Sequence, residues 1–144
     1  MTARELPVVS KKIIVMRIIS FFWLTGKIIS WRLWTTDRLF PLVPPFDFLR
    51  ISSPAHLLLF IASLTGLALL FLFPAKKIFQ ITVIAVEILS CLFDQNRWQP
   101  WEYEYIFIIT AFIFNPGNDE RALKTILFIL ISTYFYSGLG KMNR

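Results

Sequence analysis

The stretch PAHLLLFIASLTGLALLFLF, residues 54–73, runs for twenty residues without a charge. A helix rises about 1.5 Å per residue, so a run of this length matches the roughly 30 Å hydrocarbon core of a bilayer. Its opening proline suits the first turn of a helix, where the missing N–H would have no partner anyway. Composition points the same way. Of the 144 residues 56% are hydrophobic and 17% aromatic, more apolar surface than a soluble domain of this size can bury. The 15 basic and 9 acidic residues fall in clusters between apolar runs, whereas a basic soluble protein would spread them over its surface. The net charge of +6 therefore reads as membrane topology and contact with anionic lipid, and nucleic acid is not expected as a partner.

The expected fold is all-α, a polytopic transmembrane bundle of four spans plus an N-terminal helix that either makes a fifth span or lies at the interface. Residues 1–12 form a cytoplasmic tail and 13–144 a single domain, with helices at about 13–34, 54–73, 78–93, 102–115 and 122–140. PAKK, residues 74–77, makes a basic turn. IFQITVIAVEILSCLF follows as a second span crossed by one acid, Glu87. YEYIFIITAFIFN is β-branched and short, yet helix is the better assignment, because a lone strand cannot satisfy its backbone in lipid. The polar turn NPGNDER then leads into ALKTILFILISTYFYSGLG. Residues 13–34 carry Arg17, Lys27 and Arg32, which are costly inside a span. The spanning reading is favoured because Trp31, Trp34 and the rigid LFPLVPPFDFL mark a far end, with residues 41–45 as an extended connector. The same stretch lacks a small-residue cleavage site, so it is read as retained and not as a signal peptide.

Orientation follows from lysine and arginine counts. With a cytoplasmic N-terminus, Arg4, Lys11, Lys12, Lys76, Lys77, Arg121 and Lys124 lie inside, against Arg38, Arg50, Arg97, Lys141 and Arg144 outside. If the last two segments both span, the turn after Phe93 and the end of the last helix emerge on one face.

Gln80, Glu87 and Asp94 are seven apart, with Ser90 and Cys91 beside Glu87, so the second span is expected to carry a polar stripe. Thr133, Ser137 and Lys141 form a matching stripe at successive i+4 steps. An ionised Glu87 in lipid must be protonated, paired or hydrated, and Lys27 and Lys141 are the candidate partners. Glu87 reads equally as a structural hydrogen-bonder or as part of a chemical site. Trp98 and Trp101 read most simply as an aromatic belt. His56 stands without a ligand cluster and Cys91 is the single cysteine, so no metal site and no internal disulfide are expected. No phosphate loop, dinucleotide fingerprint or nucleophile elbow is present.

Taken together, LFDQNRWQPWEYEY and STYFYSGLGKMN resemble the signature of the horizontally transferred transmembrane domain family, the bacterial relatives of vitamin K-dependent gamma-carboxylase, and of the neighbouring DoxX-like membrane proteins. The likeness covers residues 78–143. The first motif's aspartate, tryptophan and tyrosines fall on Asp94, Trp98, Tyr103 and Tyr105. Its second motif falls on Tyr134, Phe135, Ser137, Gly138, Lys141, Met142 and Asn143. Gly140 stands where the carboxylase has a second lysine, and Pro100 and Trp101 replace an asparagine and a histidine. What the resemblance implies is a lysine base, Lys141, that takes a proton from reduced vitamin K; in an enzyme reading of this chain Glu87 or Asp94 would set its protonation. The family's longer chains further imply that this sequence is an N-terminal piece or a reduced member.

The leading expectation is a quinone- or lipid-binding module of the bacterial inner (cytoplasmic) membrane. Its ligand-binding set is Asp94, Arg97, Trp98, Tyr103 and Ser137, beside Lys141 and Glu87 as catalytic candidates. The alternatives are a membrane enzyme using Lys141 in quinol-linked chemistry and a structural subunit of a larger membrane complex. The expected partners are the lipid bilayer, a quinone or lipid ligand, and other membrane subunits.

Overall fold

The protein is described by a computed structural model over residues 10–37 and 40–142. The described chain is all-helical: α1 (Lys11–Ile29), α2 (Trp31–Trp34), α3 (Ser53–Leu72), α4 (Lys77–Leu92), α5 (Pro100–Phe114) and α6 (Asp119–Met142), with short 3₁₀ turns at Asp47–Leu49 and Gln95–Arg97. Local chemistry sets the boundaries. Proline occupies the first turn of both α3 and α5. Gly117, at φ 73°, supplies the left-handed residue in the turn between α5 and α6. Asp94 accepts from the backbone N–H of Asn96 and caps the 3₁₀ turn that separates α4 from α5.

Two sequence expectations are corrected here. Residues 13–34 do not form one helix, because the chain breaks at Ser30, whose hydroxyl and N–H both turn back to the Gly26 carbonyl. Asp94 does not continue the polar stripe of α4. That helix stops at Leu92, and Asp94 follows in extended backbone at φ −160° and ψ 104°. The other helices lie within a few residues of their expected limits. The tail expected over residues 1–12 lies mostly outside the described residues, and the helix already begins at Lys11.

Helices α1, α3, α4 and α5 close a ring, with α1 against α3 and α5, and α4 against α3 and α5. Helix α6 folds back on α5 as a hairpin arm. The core runs through Met16, Ile19 and Trp23 of α1, Leu67 and Leu70 of α3, Val83 of α4, and Ile106, Ile109 and Phe112 of α5. Only the first turns of α6 join it, through Ala122 and Ile126.

At one end of the bundle the start of α1 meets the start of α6. Asp119 accepts from Ser10 Oγ at 2.6 Å and from the Lys12 backbone N–H at 3.1 Å, so the acid of one helix caps the other. The α3–α4 turn lies at this same end by alternation of direction, where buried Gln80 donates to the Pro74 carbonyl at 2.7 Å. The opposite end holds α2, the proline-rich connector and the 3₁₀ turn at Gln95–Arg97. There Val43 and Gln95 pair through backbone at 2.9 Å.

The polarity of this bundle is inverted relative to a soluble one. Lys27, Glu87, Arg97 and Glu102 are fully buried, while Ile18, Phe22, Leu58, Ile61 and Ile78 are more than half exposed. Helices Ser53–Leu72 and Asp119–Leu139 are long and apolar enough to cross a membrane.

Helix α3 approaches α4 closely at Gly66, where an added Cβ would stand 3.2 Å from Val83 Cγ2. Gly138 meets nothing within 4 Å. Gly66→Leu is therefore expected to lower stability by about 1–3 kcal/mol through overpacking, and Gly138→Leu to leave it unchanged. Thermal unfolding of both variants in one detergent checks this.

Candidate functional site

Each helix of the ring sends at least one polar group to the centre. From α1, Lys27 reaches Glu87 Oε2 of α4 at 2.5 Å and lies 3.6 Å from Glu102 Oε1 of α5. Ser63 of α3 donates to the other oxygen of Glu87 at 2.5 Å. Trp23 Nε1 donates to Glu102 Oε2 at 2.7 Å. All three charged side chains are at 0% exposure, so each depends wholly on the others for the hydration it has lost. Aromatic rings line the cluster: Trp23 stacks on Tyr105 at 5.2 Å between centroids, and Trp101 contacts both Tyr105 and Trp34 edge-on. The Lys27 ammonium also sits 3.2 Å from the centre of the Trp34 ring, a cation–π contact strengthened by the absence of water.

A second buried cluster adjoins the first through Trp34. Arg97 spreads its guanidinium over several partners, donating among others to the carbonyls of Leu33 and Trp34, to Ser90 Oγ at 2.9 Å and to His56 Nδ1 at 3.2 Å. It thereby satisfies the free carbonyls that end α2 and ties them to α3 and α4. Asp94 lies 3.5 Å from Arg97 Nε and accepts from the backbone N–H groups of Val43 and Asn96. The guanidinium centre lies 5.8 Å from the same Trp34 ring that Lys27 touches. One indole is thus shared by both buried cations.

Beside this cluster the surface opens. A cavity of about 290 Å³ lies among Pro41, Leu42, Pro44, Arg50, His56 and Phe93. A shallower hollow of about 420 Å³ continues along α3 between Ala55, Leu58, Leu59 and Ala62. Ile51 and Phe93 line both, so the two form one groove with a polar end at His56 and Arg50 and an apolar end on the outer face of the bundle.

Of the residues singled out in the sequence, the structure brings Asp94 and Arg97 together and encloses Glu87 with Lys27. It does not gather the others with them. Trp98 is 40% exposed, and Tyr103 is half-buried against Phe107. Ser137 and Lys141 are exposed on α6. Helix α6 has 24 residues against 15 in α5, and starts from the turn where α5 ends. At about 1.5 Å per residue its last turns overshoot the start of α5 by roughly 13 Å, which carries Lys141 beyond the ring. Of the two candidate partners for Glu87, Lys27 makes the contact. Trp101 packs on Trp34 and Tyr105 within the bundle, where a belt position was expected.

Three contributors were not singled out in the sequence, Glu102, Ser63 and Trp23, and Trp34 was read only as marking the end of a span. Glu102 had a legible signal, since Glu102, Ile106, Ile109 and Phe112 repeat at helical spacing and all four are buried. Ser63 had none. His56, passed over for want of metal ligands, instead accepts from Arg97. No group of three or more His, Cys, Asp or Glu side chains suited to a metal ion occurs among the described residues. The chain matches no family model, no curated protein and no solved structure.

Removing one partner of a buried pair strands the other, whereas removing both with apolar replacements need not. Lys27→Met is expected to destabilise the protein by about 3–5 kcal/mol, and Lys27→Met with Glu87→Met to recover most of that loss. A double-mutant cycle from denaturant unfolding in detergent gives the coupling directly.

Proposed function

We propose that this chain is an integral membrane protein that holds an amphipathic quinone or lipid in the groove between His56 and Ala62. The single observation that carries the reading is the groove itself. Its polar end abuts His56, whose ring is held by the Asp94–Arg97 cluster, and its apolar end follows α3 out to the face that would meet acyl chains. A ligand with a polar head and a long apolar tail satisfies both ends at once.

The membrane setting rests on the inverted polarity of the bundle. Exposed Ile, Leu and Phe side chains lie on the outside of every long helix, and Lys27, Glu87 and Glu102 are turned inward, while Arg17 of α1 stays exposed. In this reading α1, α3, α4, α5 and α6 all cross the bilayer. Lys11, Lys12, Lys76, Lys77, Arg121 and Lys124 gather at the end where α1 begins, which supports reading that end as the cytoplasmic face. The likeness of residues 78–143 to the carboxylase-related transmembrane family supports the same assignment. That likeness puts a base at Lys141, but the lysine that meets Glu87 is Lys27.

Two experiments test the proposal. In a Cys91→Ser background, single cysteines at Lys76 and Lys124 are expected to react with an impermeant maleimide from one side of sealed vesicles, and one at Arg50 from the other. Same-side labelling of Lys76 and Arg50 positions overturns the spanning arrangement. For the groove, mass spectrometry of protein purified in mild detergent should find a bound quinone or phospholipid, reduced at least several-fold by Ala62→Trp or Ala55→Trp. Equal content in all three proteins removes the case for the groove.

A further inference from the structure

The ring centre holds one ammonium and two carboxyl groups, and one carboxyl oxygen is left without a donor among the described residues. Glu87 is supplied on both oxygens, by Lys27 on one and Ser63 on the other. Glu102 is supplied on Oε2 alone, by Trp23. Its Oε1 is fully buried with no hydrogen-bond donor among the described residues, 3.6 Å from Lys27 and within side-chain hydrogen-bonding reach of Glu87. Two carboxylates cannot rest in that contact with both ionised, since neither has a hydrogen to offer and their charges repel in a medium of low dielectric. Were both ionised, the enclosed cluster would also carry a net negative charge.

We propose that the bundle core is a proton-binding site, in which one proton resides on Glu102 Oε1 and is donated in a hydrogen bond to Glu87. With that proton in place the cluster is neutral, Glu87 is the ionised partner of Lys27, and every buried oxygen of the pair has a donor. The other groups around it do not supply the missing charge. From α1 come Lys27 and Trp23, from α3 Ser63, from α4 Glu87 and the buried thiol of Cys91, and from α5 Tyr105. Arg97, in the adjoining cluster, is engaged by Ser90, His56, Asp94 and the end of α2. This assignment does not depend on what occupies the groove. It gives the bundle core one carboxyl proton, held between two acids.

The test uses the full chain in detergent or nanodiscs at neutral pH. Infrared difference spectra on H₂O–D₂O exchange are expected to show the C=O stretch of a protonated carboxyl, and Glu102→Gln to abolish it. Because the glutamine amide can donate to Glu87 as the acid does, Glu102→Gln is expected to keep the unfolding midpoint near that of the wild type. Glu87→Gln, which strands Lys27, should lower it clearly. A wild-type spectrum without a protonated carboxyl overturns the proposal, as does a band that survives in Glu102→Gln. Equal destabilisation by the two glutamine variants also overturns it. Should Glu102→Gln not fold, carboxyl ¹³C shifts of selectively labelled wild type separate a protonated from an ionised Glu102. None of these readouts depends on bound quinone or lipid, so the groove and the proton site stand or fall separately.

Discussion

Lys27 and Glu87 meet at 2.5 Å with neither side chain reached by solvent, and a pair of that kind is favourable only while both partners remain enclosed. Enclosure needs walls on every side. Helices α1, α3, α4 and α5 supply them, and each contributes a polar group that would be orphaned if its helix moved away. Shifting α3 would take Ser63 from Glu87, and shifting α5 would take Glu102 from Trp23. The centre therefore specifies which faces of four otherwise greasy helices point inward, a choice that hydrophobicity alone cannot make when both faces are apolar.

The same logic extends to the end of the bundle. Arg97 comes from a turn too short to pack by itself, yet it closes the carboxyl end of α2, holds Ser90 and His56, and pairs with Asp94. Trp34 touches both Arg97 and Lys27, so the core cluster and the end cluster are one continuous polar network inside an apolar shell. The groove opens at the rim of that network. Helix α6 takes little part: past Ile126 only Leu130 packs against the core among the described residues, while Phe128 is 71% and Tyr134 70% exposed.

Much of the architecture was legible in the residues. An uncharged run marks α3, proline and glycine mark the ends of α3, α5 and the α5–α6 turn, and Glu87 announces a buried partner because an unpaired acid there is untenable. Lys27 was one of two lysines able to answer it. The helical repeat through Glu102 carried the remaining acid, though it was masked by the adjoining charge of Glu104 and the aromatic richness of the motif. Spacing misled at Asp94, where a seven-residue step continued past the end of the helix that gave it meaning. It misled again for Lys141, because equal membrane sidedness says nothing about how far a longer helix overshoots a shorter one.

By itself the sequence determined that the chain is helical, where most of its helices begin and end, and that its few charges must be partnered, since these follow from residue chemistry within one or two turns. Only the tertiary structure decided which charge meets which. Pairing depends on the order of helices around the ring and on the register of each helix against its neighbour. Both are set by contacts such as Gly66 against Val83 and Ser10 against Asp119, between residues distant in the chain.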